Sequence, residues 1–295
     1  MSLPADLTRL LAEAGLEPDY VEDLARAAVE EDLARGADIT SVATVPDDQR
    51  AAGDLVARAG GVVAGLGVAE ATFVSTSDKP LDVAREVVDG DVVTAGTVVM
   101  TVTGPTRALL LAERTALNLL CHLSGIATVT RRWADALAGT NAVVRDTRKT
   151  TPLLRPLEKY AVRCGGGENH RMSLSDAALI KDNHVVAAGG ITSAYRAVTG
   201  AFPDVPVEVE VDSIEGAIEA AEAGAQLIML DNFTTDQVAQ AVQAVAGRSK
   251  LEVSGGLTIY AARAYGETGV DYLAVGAITH SAPVLDIAFD LREVR

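Results

Sequence analysis

Two rhythms of apolar residues run along this chain. Near the N-terminus, Leu3 to Ala14 and Tyr20 to Ala34 carry apolar side chains at helical spacing. A β-branched region follows, GDLVARAGGVVAGLG and then EVVDGDVVTAGTVVMTVTG, cut by glycines, with Asp89-Gly90 and Ala95-Gly96 as turn candidates. From Thr106 to Leu123 the helical pattern returns, with Leu109, Leu110, Ala116, Leu117 and Leu120 on one side and Arg114 beside Glu113. A boundary is placed near Ser124-Gly125. The first part therefore reads as mixed α and β.

Beyond that point the rhythm changes. Six apolar runs predict strands: AVVRDT (142–147), AALIKD (177–182), VEVEVD (207–212), LIMLDN (227–232), LEVSGG (251–256) and YLAVGA (272–277). Helical segments, Ser213–Ala223, Thr235–Ala246 and Ile259–Glu267, lie between the last four. Strand, helix and strand alternating in this way predict parallel β/α units. Polar residues and a glycine sit at the strand ends: Asp146 with Arg148, Lys181 with Asp182, Glu210 with Asp212, Asp231, Ser254, and Gly276. In a β/α barrel that end carries the chemistry; an open doubly wound sheet would also put ligands there, across one crevice. Polar groups on every strand end favour a closed or nearly closed ring. A seventh strand is sought around Lys159–Arg163.

Charge sharpens the picture. The net charge is −16 over 295 residues, of which 48% are hydrophobic. The acidity argues against a general nucleic-acid or anionic-membrane surface. It makes one cationic stretch conspicuous. Val144 to Val185 gathers Arg145, Arg148, Lys149, Arg155, Lys159, Arg163, His170, Arg171, Lys181 and His184, interleaved with glycines. This predicts a site for a small anion. Two cysteines, Cys121 and Cys164, form no metal or disulfide framework and read as reduced thiols of a cytoplasmic protein. The N-terminus shows no signal-peptide pattern, and no apolar run approaches the ~20 residues that span a bilayer.

Each motif has a plain reading beside the chemical one. DTRKT (146–150) could be a solvated turn; Arg and Lys after a buried run suit carboxylate or phosphate binding better. GGGENHR (165–171) could be a flexible loop; its glycines also permit close approach of a ligand to the backbone, with His170 and Arg171 presented together. Lys181 late in an apolar strand is costly unless paired or bound to an anion. Alternation puts Glu208, Glu210 and Asp212 on one face, either a solvated stripe or the lumen of a barrel. In the lumen, carboxylates could balance the cations, bind Mg²⁺ or contact sugar hydroxyls. Ser254–Gly256 and Val275–Ala277 could be simple turns, or a phosphate loop after the last barrel strands. Ser173, Ser175 and Cys164 lack a His–Asp relay, so positioning and charge stabilisation are favoured over covalent catalysis.

DTRKTTPLLRPLEKYAVRCGGGENHRMSLSDAALIKDNH strongly resembles the quinolinate phosphoribosyltransferase family, the carboxylating nicotinate-nucleotide diphosphorylases. ERTALNLLCHLSGIAT, EVEVD, MLDNF, VSGGL and YLAVGAITHS match it in the same order. Leu153 and Ser173 stand where glycines are common in the family. The resemblance implies an N-terminal α/β sandwich (1–123), an incomplete, about seven-stranded β/α barrel (124–283) and a tail (284–295) packing back on the first domain. It implies phosphoribosyl transfer from 5-phosphoribosyl 1-diphosphate to quinolinate with loss of CO₂, giving nicotinate mononucleotide for NAD biosynthesis. It further implies Mg²⁺, and a homodimer or multiple of dimers in which Arg114 reaches the neighbouring site. Carried over by motif, Arg148, His170, Arg171 and Lys181 hold the two carboxylates of quinolinate, Lys149 serves quinolinate or the diphosphate, and Thr147 binds substrate. Glu210 and Asp231 contact the ribose and Mg²⁺. Ser254, Gly255, Gly256, Val275, Gly276 and Ala277 hold the 5-phosphate. Lys149, Lys181, Glu210 and Asp231 are the expected catalytic groups. Rival readings are a phosphoribosyltransferase for another pyridine base, a non-catalytic metabolite-binding homologue, and a phosphate-binding barrel decarboxylase or aldolase.

Overall fold

The computed structural model describes residues 3–293. The chain runs α1 (Ala5–Glu13), α2 (Pro18–Leu33), α3 (Ile39–Thr44), β1 (Arg50–Ala57), β2 (Gly61–Val62), α4 (Leu66–Ser75), β3 (Asp82–Arg85), β4 (Val92–Val93), β5 (Val98–Pro105) and α5 (Thr106–Ala136). It continues β6 (Val143–Arg145), α6 (Arg155–Cys164), β7 (Ala178–Ile180), α7 (Asp182–Ala188), α8 (Ile191–Ala201), β8 (Val207–Val211), α9 (Ile214–Ala223) and β9 (Leu227–Asp231). Last come α10 (Thr235–Val245), β10 (Lys250–Ser254), α11 (Ile259–Gly266), β11 (Tyr272–Ala274), α12 (Ala277–His280) and β12 (Ile287–Glu293). Two compact units result. One reaches Val129, takes in Pro156–Gly166 and resumes at Ala282; the other is Thr130–Arg155 with Gly167–Ser281.

The first unit is built on an antiparallel sheet in the order β12-β1-β5-β3. β12 pairs with β1 from Ala57↔Ile287 to Ala51↔Glu293. Leu55, Phe73, Met100, Val102, Leu109 and Leu120 fill one apolar cluster between this sheet and the helices. The expected break at Ser124-Gly125 falls inside α5, which continues to Ala136. Its polar residues are occupied rather than terminal: Ser124 Oγ accepts from Ala64 N at 3.0 Å, and Thr128 Oγ1 accepts from Val62 N at 2.8 Å. Gly125 lets the backbone of Pro283 and Val284 cross the helix, since a Cβ there would lie 2.2 Å from the Pro283 carbonyl oxygen.

The second unit is an all-parallel sheet in the order β6-β11-β10-β9-β8-β7. Central strands are buried on both faces, as in β8, where Val207, Glu208, Val209 and Val211 are all buried. The seventh strand is not at Lys159–Arg163, which lies within helix α6. That segment buries Leu157, Glu158, Lys159, Ala161 and Val162 at helical spacing in the first unit. A single parallel bridge, Arg145↔Glu168, continues the sheet beyond β6 instead. The ring is thus incomplete.

Candidate active site

The barrel end is organised by one buried carboxylate. Asp146, fully buried after β6, accepts from Asn169 Nδ2 at 2.6 Å and from His170 N at 2.9 Å. Its own amide donates to Glu168 O at 3.2 Å, and Arg145 Nη2 donates to Asn169 O at 3.2 Å. The DTRKT and GGGENHR segments, about twenty residues apart, are therefore fastened side by side. Thr147 Oγ1 accepts from Lys149 N at 3.0 Å, and Lys149 O accepts from Thr279 Oγ1 at 2.8 Å. Gly276 lies against Lys149 and Thr147.

A cavity of about 360 Å³ opens above this floor, lined by Thr147, Arg148, Lys149, His170, Arg171, Leu179, Lys181, Glu210, Met229, Asp231 and Ser254. That size suits a small molecule. Nine of the expected site residues meet here. Gly255, Gly256, Val275, Gly276 and Ala277 are not among its lining residues. Gly255 is held by geometry: its φ is 99°, and a Cβ would lie 2.1 Å from Asn232 Oδ1. Arg114 is exposed on α5, in the other unit.

Not every cation of the basic stretch serves this cavity. Arg163 Nη2 donates to Ala14 O at 2.6 Å, and Lys159 is buried, both in the first unit. Arg155 donates to Thr150 Oγ1 and Met172 O, shaping the loop. His184 Nδ1 accepts from Lys181 N at the start of α7. Arg145 pairs with Glu252 at 2.9 Å and stacks 4.4 Å above the Tyr272 ring.

The cations that remain in the cavity are under-compensated. Burial, then the charge of Arg148, holds the Arg171 guanidinium below its ordinary value. Arg148 Nε is buried with no hydrogen-bond partner among the described residues. Lys181 Nζ pairs with Glu210 Oε2 at 2.7 Å, but the lysine is 48% exposed, so the pair is easily exchanged. Crowded guanidinium groups with an unmet donor are a site prepared for an anion. A second cavity of about 320 Å³ shares Glu210 and Asp231 and adds Asp182 and Asp212. All four offer hard oxygen donors, which fit Mg²⁺.

Two functional side chains escaped the sequence reading, Asn169 of the staple and Glu252 beneath the cavity, while Asp146 and Glu208 enter it only as a strand-end residue and as part of an alternating face. Glu208 shares a strand face with Glu210, and Glu252 shares one with Ser254, so alternation carried the signal. His170 Nε2 lies 2.7 Å from Glu208 Oε2 and 3.5 Å from Glu252 Oε1. Its Nδ1 accepts from Arg171 N at 2.8 Å. Burial, then repulsion from Glu208, pushes the Glu252 carboxyl up to about 7, with the Arg145 guanidinium opposing.

Known proteins resemble this chain in sequence and fold. Residues 38–124 match the model of the quinolinate phosphoribosyl transferase N-terminal domain, and residues 126–290 match that of the C-terminal domain. The chain is 51% identical over 281 residues to the nicotinate-nucleotide pyrophosphorylase [carboxylating] of Mycobacterium leprae, covering 93% of this chain and 98% of that one. It is 42% identical over 262 residues to the probable nicotinate-nucleotide pyrophosphorylase [carboxylating] of Bacillus subtilis, covering 88% and 90%. The crystal structure of NadC from Streptococcus pyogenes superposes with a TM-score of 0.91 at 41% identity, covering 95% of this chain and 99% of that one. With the basic cavity, its carboxylate rim and both domains matched in order, the chain belongs to the quinolinate phosphoribosyltransferase family.

Proposed function

We propose that this protein transfers the phosphoribosyl group of 5-phosphoribosyl 1-diphosphate to quinolinate, releasing diphosphate and CO₂ and forming nicotinate mononucleotide. The observation that carries the reading is the cavity that sets Arg148, Lys149, Arg171 and Lys181 beside Glu210 and Asp231. Quinolinate brings two carboxylates, and the cation count suits two better than one. In this reading Arg148, His170, Arg171 and Lys181 hold the ring acid with Thr147 beside the substrate, and Ser254–Gly256 with Val275–Ala277 receive the 5-phosphate.

The pyridine nitrogen attacks C1 of the ribose as the C1–O bond to diphosphate breaks. Positive charge grows on the ribose, and the Glu210 and Asp231 carboxylates are placed to stabilise it. Lys149 meets the charge that develops on the leaving diphosphate. Mg²⁺, held by Glu210 and Asp231 directly or through water, would neutralise further charge on the diphosphate oxygens. The product ring is a pyridinium. Its 2-carboxylate leaves as CO₂, the electron pair stays at C2 beside the cationic nitrogen, and a proton then fills that position. The protein's part in this step is to orient the ring.

The same reading makes the enzyme a cytoplasmic homodimer, or a multiple of dimers, with Arg114 serving the partner's cavity. Its support is the exposed position of Arg114 on α5 and the two free thiols. The test is turnover with Mg²⁺, 5-phosphoribosyl 1-diphosphate and quinolinate, following CO₂ and nicotinate mononucleotide, with nicotinate as the rival base. Coupled release of both products from quinolinate alone is expected. Turnover of nicotinate alone would overturn the two-carboxylate cavity, and binding of quinolinate without turnover would make the chain a metabolite-binding homologue.

A further inference from the structure

Glu208 and Glu252 are expensive residues to bury. Their side chains are almost wholly enclosed, Arg145 pairs with Glu252 and the Arg171 charge acts on Glu208, yet one oxygen of each, Oε1, has no hydrogen-bond partner among the described residues. Two carboxylates in such a setting cost stability rather than supply it, so the fold alone does not explain them. What they face is His170, whose two ring nitrogens have distinct partners. The amide N–H of Arg171 donates to Nδ1 at 2.8 Å, so Nδ1 presents a lone pair and carries no hydrogen. The ring hydrogen then sits on Nε2, where Glu208 Oε2 accepts at 2.7 Å. In this arrangement Nε2 donates and Nδ1 accepts.

We propose that Glu208 is a positioning residue of the quinolinate site, holding His170 in the Nε2–H tautomer so that Nδ1 anchors the Arg171 backbone and aims its guanidinium into the cavity. The inference rests on the quinolinate reading above, and it changes the role of His170. Rather than pairing with a substrate carboxylate through charge, the imidazole links a buried carboxylate to the arginine that does. Glu252 Oε1 lies 3.5 Å from the same ring nitrogen, and Glu252 is itself held by Arg145, so a second acceptor beside Nε2 favours a hydrogen on that nitrogen. If the hydrogen moved to Nδ1, it would point at the Arg171 N–H, and two donors would face each other at hydrogen-bond distance. The loop from His170 to Ala177 would have to give way, because Arg171 Nη1 also donates to Ala177 O at 2.8 Å.

Two kinds of measurement test this. In the wild-type holoenzyme, ¹⁵N NMR of the imidazole nitrogens should show His170 protonated at Nε2 alone; a ring protonated at Nδ1, or at both nitrogens, overturns the proposal without any variant. Glu208→Met removes the acceptor at similar volume. We expect it to raise the KM for quinolinate about tenfold and leave the KM for 5-phosphoribosyl 1-diphosphate within about twofold. Its thermal stability should be equal or higher. Glu208→Gln keeps an acceptor oxygen and should restore the quinolinate KM to near wild type. A Met variant that is less stable with unchanged quinolinate KM, or one in which both KM values rise together, would make Glu208 a structural residue and end the idea. If wild type shows the Nε2–H tautomer but does not turn over quinolinate, the substrate assignment fails and the tautomer lock stands.

Discussion

Leu153 shows how a single side chain can sit against its backbone's preference. Its φ is 68° and its side chain is 81% exposed, so it occupies left-handed space without burying apolar surface in return. The left-handed conformation costs an ordinary residue about 1–2 kcal/mol, whereas glycine adopts it freely but loses about 0.5–1 kcal/mol of chain entropy. Leu153→Gly should therefore stabilise the protein by up to about 1 kcal/mol, read as a higher urea midpoint; a lower midpoint would show that Leu153 makes a contact worth more than its strain. Glu252 makes a second prediction. Its carboxyl is raised in the folded protein to about 7, so the folded state binds that proton more tightly than the unfolded chain does. The resulting stability is complete below the ordinary glutamate value and is lost as pH rises through about 7. Urea midpoints between pH 5 and 8 should fall for the wild type and fall less for Glu252→Gln; equal slopes would place the ionisation elsewhere.

Helix α5 carries the clearest conflict between local preference and packing. Within a helix, Gly→Ala ordinarily gains about 1 kcal/mol. At Gly125 the new Cβ would stand 2.2 Å from the Pro283 carbonyl oxygen and 2.9 Å from Val284 Cα, and neither is a flexible side-chain end. Overpacking of this kind costs about 1–3 kcal/mol, so the contact outweighs the propensity. Gly125→Ala is expected to lower the thermal midpoint, and a rise would mean that the C-terminal segment does not cross the helix there. The basic loop is an element of another sort. Outside α6 it has almost no regular structure, yet Asp146 and Arg145 fasten it through Asn169 and His170. Regular pairing is replaced there by side-chain hydrogen bonds that bring two distant motifs to one rim.

For the molecule as a whole, the balance of charge is the governing fact. A chain of net charge −16 repels anionic substrates at long range, so its attraction must be local. Arg148, Lys149, Arg171 and Lys181 supply it within one cavity. Arg114 lies outside that set on α5, and the shared-site reading has a direct test. Homodimers of Arg114→Ala or of Lys181→Ala should be nearly inactive, whereas mixing the two under exchange should restore a substantial fraction of activity, because one cavity of the heterodimer is then intact. No recovery in a mixture proven to contain heterodimers would remove Arg114 from the partner's site.

Much of this protein was legible from its residues alone. The parallel β/α order, the basic stretch and most of the cavity's lining follow from apolar period and from the ends of the apolar runs, because strand ends present polar side chains wherever the run between them is buried. Folding decided which charges face the cavity. Lys159 and Arg163 belong to the same basic stretch as Arg171, yet α6 carries them into the first unit, and helical spacing interrupted by the buried charges of Glu158 and Lys159 concealed that. Glu208 could be read as lumen or as surface, since β8 is buried on both faces and alternation gives no inside. Ser124-Gly125 reads as a domain boundary, where the two matched family domains do change over, but the glycine sits inside a continuous helix because its missing side chain admits the Pro283 backbone. Local chemistry repeats along the chain and can be counted there; the pairing of Asp146 with Asn169, and of Glu208 with His170, exists only once distant strands are brought side by side.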